Sequence, residues 1–188
     1  FVKLDHDVGF LWLHTAVADW RLTGNETSRK RGLHAAGILA GRYNPAGHYI
    51  RAWNGVRQGV AIVDCLMNLP LLYWAAQENE SPAWKQIAIE HTEMALRYIL
   101  RPDGSSNHMV DFDPETGEYK DNPGGQGYES GSSWRQKTHI MIQFYKFLKG
   151  SVQALLYPLC GPAELFLFKC VIHLPQHTGI KAVRPGSQ

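Results

Sequence analysis

Apolar positions along this chain recur first with a helical period and then as an almost unbroken run. After Asp7, the residues Val8, Phe10, Leu11, Leu13, Ala16, Val17 and Trp20 keep the spacing of one helix face as far as Leu22, and Thr23-Gly24-Asn25 stops it. A second helix is predicted from Glu26 to Ala40, amphipathic, with its charges early and Ala35, Ala36, Gly37 and Ala40 late. Asn44-Pro45-Ala46-Gly47 is a turn, and His48 to Trp53 reads as a short extended segment. The pattern then returns. Asp64 opens a run to about Gln77 that is apolar all round, which marks a helix buried on every side. Pro70 lies inside it, so the helix is either kinked there or begins near Asn68. Asn79 to Pro82 is a turn, Ala83 to Leu100 is again amphipathic, Pro102-Asp103-Gly104 ends it, and Asn107 to Phe112 is extended.

The recurrence has a period. Asp7 and Asp64 are 57 residues apart, and so are Gly47 and Gly104. A unit of one buried and one half-exposed helix cannot cover its own apolar face, so it must stack on neighbours. The expected architecture is all-α, a toroid of helical hairpins with apolar helices inside and loops at one end forming the site. Six hairpins of this period need roughly 340 residues, and the chain has 188, so the toroid is expected as a partial, unclosed one.

Composition narrows the function classes. The 44% hydrophobic and 19% charged fractions are those of a globular protein, and a net charge of +2 supports neither nucleic-acid nor membrane-surface binding. The greasy stretch from Val152 to Ile172 is interrupted by Pro158, Gly161, Pro162, Glu164 and Lys169, a poor membrane span. Three cysteines without a Cys-x-x-Cys pair, and nine histidines without ligand spacing, indicate no metal site and no cofactor. No leader is visible, and the compartment, cytoplasmic or periplasmic, stays open.

What remains is a set of acids with polar and aromatic companions. Asp7 and Asp64 sit at the same end of their hairpins, with Trp53, His108, Gln126 and Trp134 on adjacent loops. Aromatic faces stack on sugar rings, amides and imidazoles bind hydroxyls, and carboxyl groups move protons. Each residue also has a plainer reading: Asp64 as a helix cap, Trp53 in the core, His108 as a hydrogen-bonded loop residue, Gln126 facing solvent.

Five blocks, in order, decide among these: His6-Asp7-Val8-Gly9-Phe10; Arg51-Ala52-Trp53-Asn54; Ile62-Val63-Asp64 through Asn68-Leu69-Pro70 to Trp74; His108 with Asp111 to Gly117; and Gln126-Gly127-Tyr128 with Ser133-Trp134. Together they resemble the unsaturated glucuronyl hydrolases, glycoside hydrolase family 88, over Leu4 to Trp134. The resemblance implies an (α/α)6 barrel and removal of 4,5-unsaturated glucuronic acid from oligosaccharides released by polysaccharide lyases. It implies hydration of the C4=C5 bond, with Asp64 as general acid/base, Asp7 as the assisting acid, and His6, Trp53, His108, Gln126 and Trp134 binding substrate. A sister hydrolase of unsaturated rhamnogalacturonyl products, or a silent uronate-binding module, are the alternatives. Family members continue past the last tryptophan as Trp-x-Arg-Gly-Gln-x-Trp, whereas this chain reads Trp134-Arg135-Gln136-Lys137. Residues 1–134 are accordingly expected to be a partial catalytic domain and 135–188 an atypical tail foreign to the fold. Exposed flanks of the open toroid are expected to drive self-association.

Overall fold

A computed structural model describes residues 4–55, 57–102 and 105–125. Its first helical run comprises α1 (Val8–Trp12), a π-helical turn (Leu13–Val17) and α2 (Ala18–Thr23). Gly24 closes the run with a φ of 72°, and its N–H returns to Trp20 O at 2.8 Å, a left-handed stop that a glycine adopts at little cost. Asn25 then caps α3 (Glu26–Ala40), its side chain accepting from the Thr27 and Ser28 amides.

Helix α4 (Leu69–Glu78) follows a 3-10 turn at Val63–Met67 and is contacted by α1, α3 and α5 (Pro82–Met94). Six of its ten residues are buried, including Leu69, Leu71, Leu72 and Trp74, so it is the inner helix that its apolar sequence demands. Pro70 stands in the first turn, where a missing N–H breaks no hydrogen bond, so the helix starts near Asn68 rather than kinking at the proline. Helix α5 continues into a π-helical turn at Ala95–Ile99.

Gly32 lets α3 approach α4. A methyl group there would lie 2.8 Å from the Trp74 ring and 3.1 Å from Val17. At the far end from Asp64, Arg29 clamps α3 to α4 through Nε–Glu78 Oε2 at 2.7 Å and an Nη2 donation to Glu78 O at 3.2 Å.

Two small sheets accompany the helices of the expected α architecture. Strands β1 (Tyr43–Asn44) and β2 (Tyr49–Ile50) form an antiparallel hairpin, and β3 (Val60–Ile62), β4 (Met109–Phe112) and β5 (Tyr119–Asp121) form an antiparallel sheet in the order β3-β4-β5. The described structure is thus helical with some sheet. The extended segments expected at 48–53 and 107–112 are present but join different sheets, and β3 was hidden in the sequence as the lead-in to an apolar helix. Gly59 permits its pairing, since Phe112 N donates to Gly59 O at 3.0 Å and a Cβ would fall 2.0 Å from Phe112 O. Among the described residues no helix is long and apolar enough to cross a membrane.

Candidate active site

The β3–β4 pairing puts His108 beside Asp64. Ile62 faces Met109 in an antiparallel register. One step outward, Val63 N donates to His108 O at 3.0 Å, and the next residue of the 3-10 turn is Asp64. The His108 Nε2 and Asp64 Oδ2 atoms are 3.8 Å apart, with the imidazole 7% and the carboxylate 30% exposed. Asp64 holds neither cap position, which belong to Ile62 and Asn68, so the capping role open in the sequence is not its role. Gly125 lies against this histidine: a Cβ on it would be 3.0 Å from His108 Nδ1.

A second carboxylate–imidazole pair is built by the segment that enters α1. His6 is buried, and its Nδ1 lies 2.8 Å from Ala52 O. A carbonyl only accepts, so Nδ1 carries the hydrogen and Nε2 is turned to Asp7 Oδ1, 3.4 Å away. The Asp7 carboxylate is 65% exposed. Trp53 meets the edge of His6 with ring centroids 6.3 Å apart, and the Arg57 guanidinium stands 5.7 Å from the indole centroid.

Arg42 holds this half of the site and was not singled out by the sequence. It is 3% exposed and donates through Nε to Arg51 O (3.1 Å), through Nη1 to Leu4 O (3.2 Å) and Asn54 Oδ1 (2.7 Å), and through Nη2 to Ala52 O (2.9 Å). One guanidinium thereby ties the segment before His6 to the loop bearing Trp53. Three of its four acceptors are main-chain carbonyls, which leave no mark in a sequence. Burial, and then the nearby charge of Arg51, lower its pKa.

The two halves meet at α1 and α4. Phe10 N donates to Asn68 Oδ1 at 2.6 Å, and Asn68 Nδ2 donates to Asp64 O at 3.4 Å. The buried Cys65 thiol lies within the fields of both acids; its pKa is raised, chiefly by burial, with Asp7 and Asp64 adding to it. The structure therefore gathers His6, Asp7 and Trp53 into one cluster and Asp64 and His108 into another, with Asn68 spanning between α1 and Asp64. Gln126 and Trp134 lie outside the described residues, as does the atypical tail. A cavity of about 300 Å³ lined by Tyr43, Asn44, Arg51, Gln58, Pro114 and Glu115 contains none of the candidate residues. Among the described residues no group of three or more metal-ligating side chains converges.

Known proteins resemble the chain closely. No protein-family model matches it. It is 37% identical over 156 residues to the unsaturated chondroitin disaccharide hydrolase of Streptococcus pyogenes, covering 79% of this chain and 39% of that protein. To the unsaturated glucuronyl hydrolase of a Bacillus species it is 39% identical over 142 residues, covering 71% and 37% respectively. The crystal structure of an unsaturated glucuronyl hydrolase from Bacillus superposes with a TM-score of 0.76 at 31% identity, over 89% of this chain and 44% of that one. An unsaturated glucuronyl hydrolase specific for heparin gives a TM-score of 0.72 at 31% identity, over 76% and 39%. The chain spans about two-fifths of the length of these curated relatives.

Proposed function

The chain belongs to the unsaturated glucuronyl hydrolases, and on that premise we propose that it hydrates the C4=C5 bond of an unsaturated glucuronyl residue at the end of a glycosaminoglycan oligosaccharide. In such a sugar the double bond is conjugated to the carboxylate and joined to the ring oxygen, so it is an enol ether. Asp64 gives its proton to C4, and oxocarbenium character develops at C5. Water adds to C5 and passes its proton to the Asp64 carboxylate, which restores the acid. The hemiketal so formed opens, and the bond from C1 to the glycosidic oxygen is lost in the rearrangement. One carboxyl group thus both gives and takes a proton, unlike the two-carboxylate division of ordinary glycosidases.

The observation that carries this reading is the pairing of each acid with its own buried imidazole, His108 with Asp64 and His6 with Asp7, at 3.8 Å and 3.4 Å. The difference in exposure supports the division of roles. Asp64 is sheltered enough to act on a carbon that water does not flood, while the open Asp7 assists and orients. Trp53, partly buried and edge-on to His6, offers a face for the sugar ring. Gln126 and Trp134 complete the proposed binding set.

The inner α4, contacted by α1, α3 and α5, fits a stack of helical hairpins from an (α/α)6 barrel, with residues 1–134 as its partial catalytic domain. Exposed Phe10, Leu11 and Leu22 are the positions through which self-association would occur.

The conjugated double bond absorbs in the ultraviolet and hydration removes that band. An unsaturated chondroitin disaccharide incubated with this chain should lose absorbance, and Asp64→Asn should slow the loss by on the order of 100-fold or more. A flat trace with the unsubstituted chain, or equal decay with Asp64→Asn, overturns the proposal.

A further inference from the structure

An aspartate before the first turn of a helix ordinarily turns its carboxylate back onto the second or third amide of that helix. Asp7 stands there, ahead of α1, yet makes no such bond. The amide it would be expected to satisfy, Phe10 N–H, donates instead to Asn68 Oδ1 from a different helix at 2.6 Å. Asn68 is 1% exposed and fully engaged: its Nδ2 donates to Asp64 O, its N–H to Cys65 O at 2.9 Å, and its own carbonyl accepts from Leu71 N at 3.2 Å. Gly9 makes the approach possible, because a Cβ there would lie 2.5 Å from Asn68 O and 2.6 Å from Asn68 Cβ.

We propose that Asn68 is a positioning residue: it caps α1 in place of Asp7, leaving the Asp7 carboxylate turned to His6 and the substrate, and it ties that arrangement to the turn bearing Asp64. The catalytic meaning rests on the hydrolase reading above, but the substitution of one cap for another does not. Without the Asn68 amide, Phe10 N–H is an unpartnered donor three residues from the Asp7 carboxylate. Asp7 then folds back onto it and leaves His6.

The test is an NMR measurement, in the full 188-residue chain, of the scalar coupling between the Phe10 amide nitrogen and the side-chain carbon of the group that accepts from it, in the unsubstituted chain and in Asn68→Ala. Asn68→Ser, whose hydroxyl is too short to reach Phe10, carries the same expectation should the alanine variant fail to fold. The Phe10 nitrogen should couple to the Asn68 side-chain carbon in the unsubstituted chain and to the Asp7 carboxyl carbon in the variant. Turnover of the unsaturated disaccharide should show kcat reduced roughly 10- to 100-fold with KM changed less than about threefold, because the misplacement acts on geometry rather than on ground-state binding. A folded variant whose Phe10 nitrogen does not couple to the Asp7 carboxyl carbon overturns the inference, whatever its activity. If the unsubstituted chain shows no turnover but the coupling moves to Asp7 in the variant, the hydrolase reading fails and the substituted cap stands.

Discussion

His91 makes the fold acid-sensitive below the ordinary histidine range. Its ring is fully buried under β2, and Nδ1 accepts the Ile50 N–H at 3.0 Å, so the neutral ring carries its hydrogen on Nε2, which has no hydrogen-bond partner among the described residues. Protonating Nδ1 would set one N–H against another as well as burying a charge. Burial, helped by the nearby His6, accordingly pushes the pKa down to about 3 from its usual 6.5. In the unfolded chain the imidazole binds a proton below about pH 6.5, and in the folded protein it does so only near pH 3. Between those values the unfolded state holds more protons, so stability falls as pH falls, by about 1.4 kcal/mol per unit, and is fully present above the unfolded pKa. From pH 7.5 to 5.0 this single group should remove about 2 kcal/mol. Urea melts at the two pH values measure the loss directly. The control is His91→Gln, whose side-chain oxygen can still accept from Ile50 while titrating nothing. The unsubstituted chain should lose about 2 kcal/mol more than the variant over this interval. Equal losses in the two proteins would refute the argument, because the remaining carboxylates and histidines are common to both.

Two further substitutions probe the frame. Arg42→Lys keeps the charge but replaces a planar fork that serves four acceptors with one ammonium, and should cost about 2–4 kcal/mol in a denaturant melt; a change below about 0.5 kcal/mol would show that those bonds hold little. Gly32→Ala drives a methyl group into the Trp74 ring 2.8 Å away and should cost about 1–3 kcal/mol, readable as a lowered midpoint with blue- or red-shifted tryptophan emission; an unchanged midpoint would mean that α3 and α4 separate freely.

The helices were legible because each carries its own punctuation. Gly24 and Asn25 mark one boundary between them, α3 spans Glu26–Ala40 as its periodicity requires, and the all-apolar run at Leu69 to Ala75 is the buried inner helix. Of the candidate site, the pairing of Asp7 with His6 follows from adjacency alone. The nearness of Asp64 to His108 does not: it depends on the antiparallel pairing of Ile62 with Met109, 47 residues apart, between a strand with no signal of its own and one that reads as extended. Arg42 and Asn68 were less visible still. Both act on backbone atoms brought up from distant segments, and a backbone amide or carbonyl has the same appearance in every sequence. An arginine after a helix end, or an amide in a greasy stretch, acquires a role only once the fold supplies its partners.

The repeat itself carries the last lesson. Asp7 and Asp64 occupy equivalent places 57 residues apart, yet the chain treats them differently. Asp7 directly precedes α1, while Asp64 sits in a 3-10 turn five residues before α4 begins. Pro70 is the physical cause. It has no N–H to donate to the preceding turn and its ring would clash with the carbonyl four residues back, so α4 cannot extend regularly toward Asp64. The first acid is left open beside His6 and needs a neighbour to take over its cap. The second is drawn toward the sheet, where β3 and β4 deliver a buried imidazole to it. The two hairpins thus carry two unlike carboxylates, and the proposed reaction, in which one acid moves the proton while the other assists, makes use of that unlikeness.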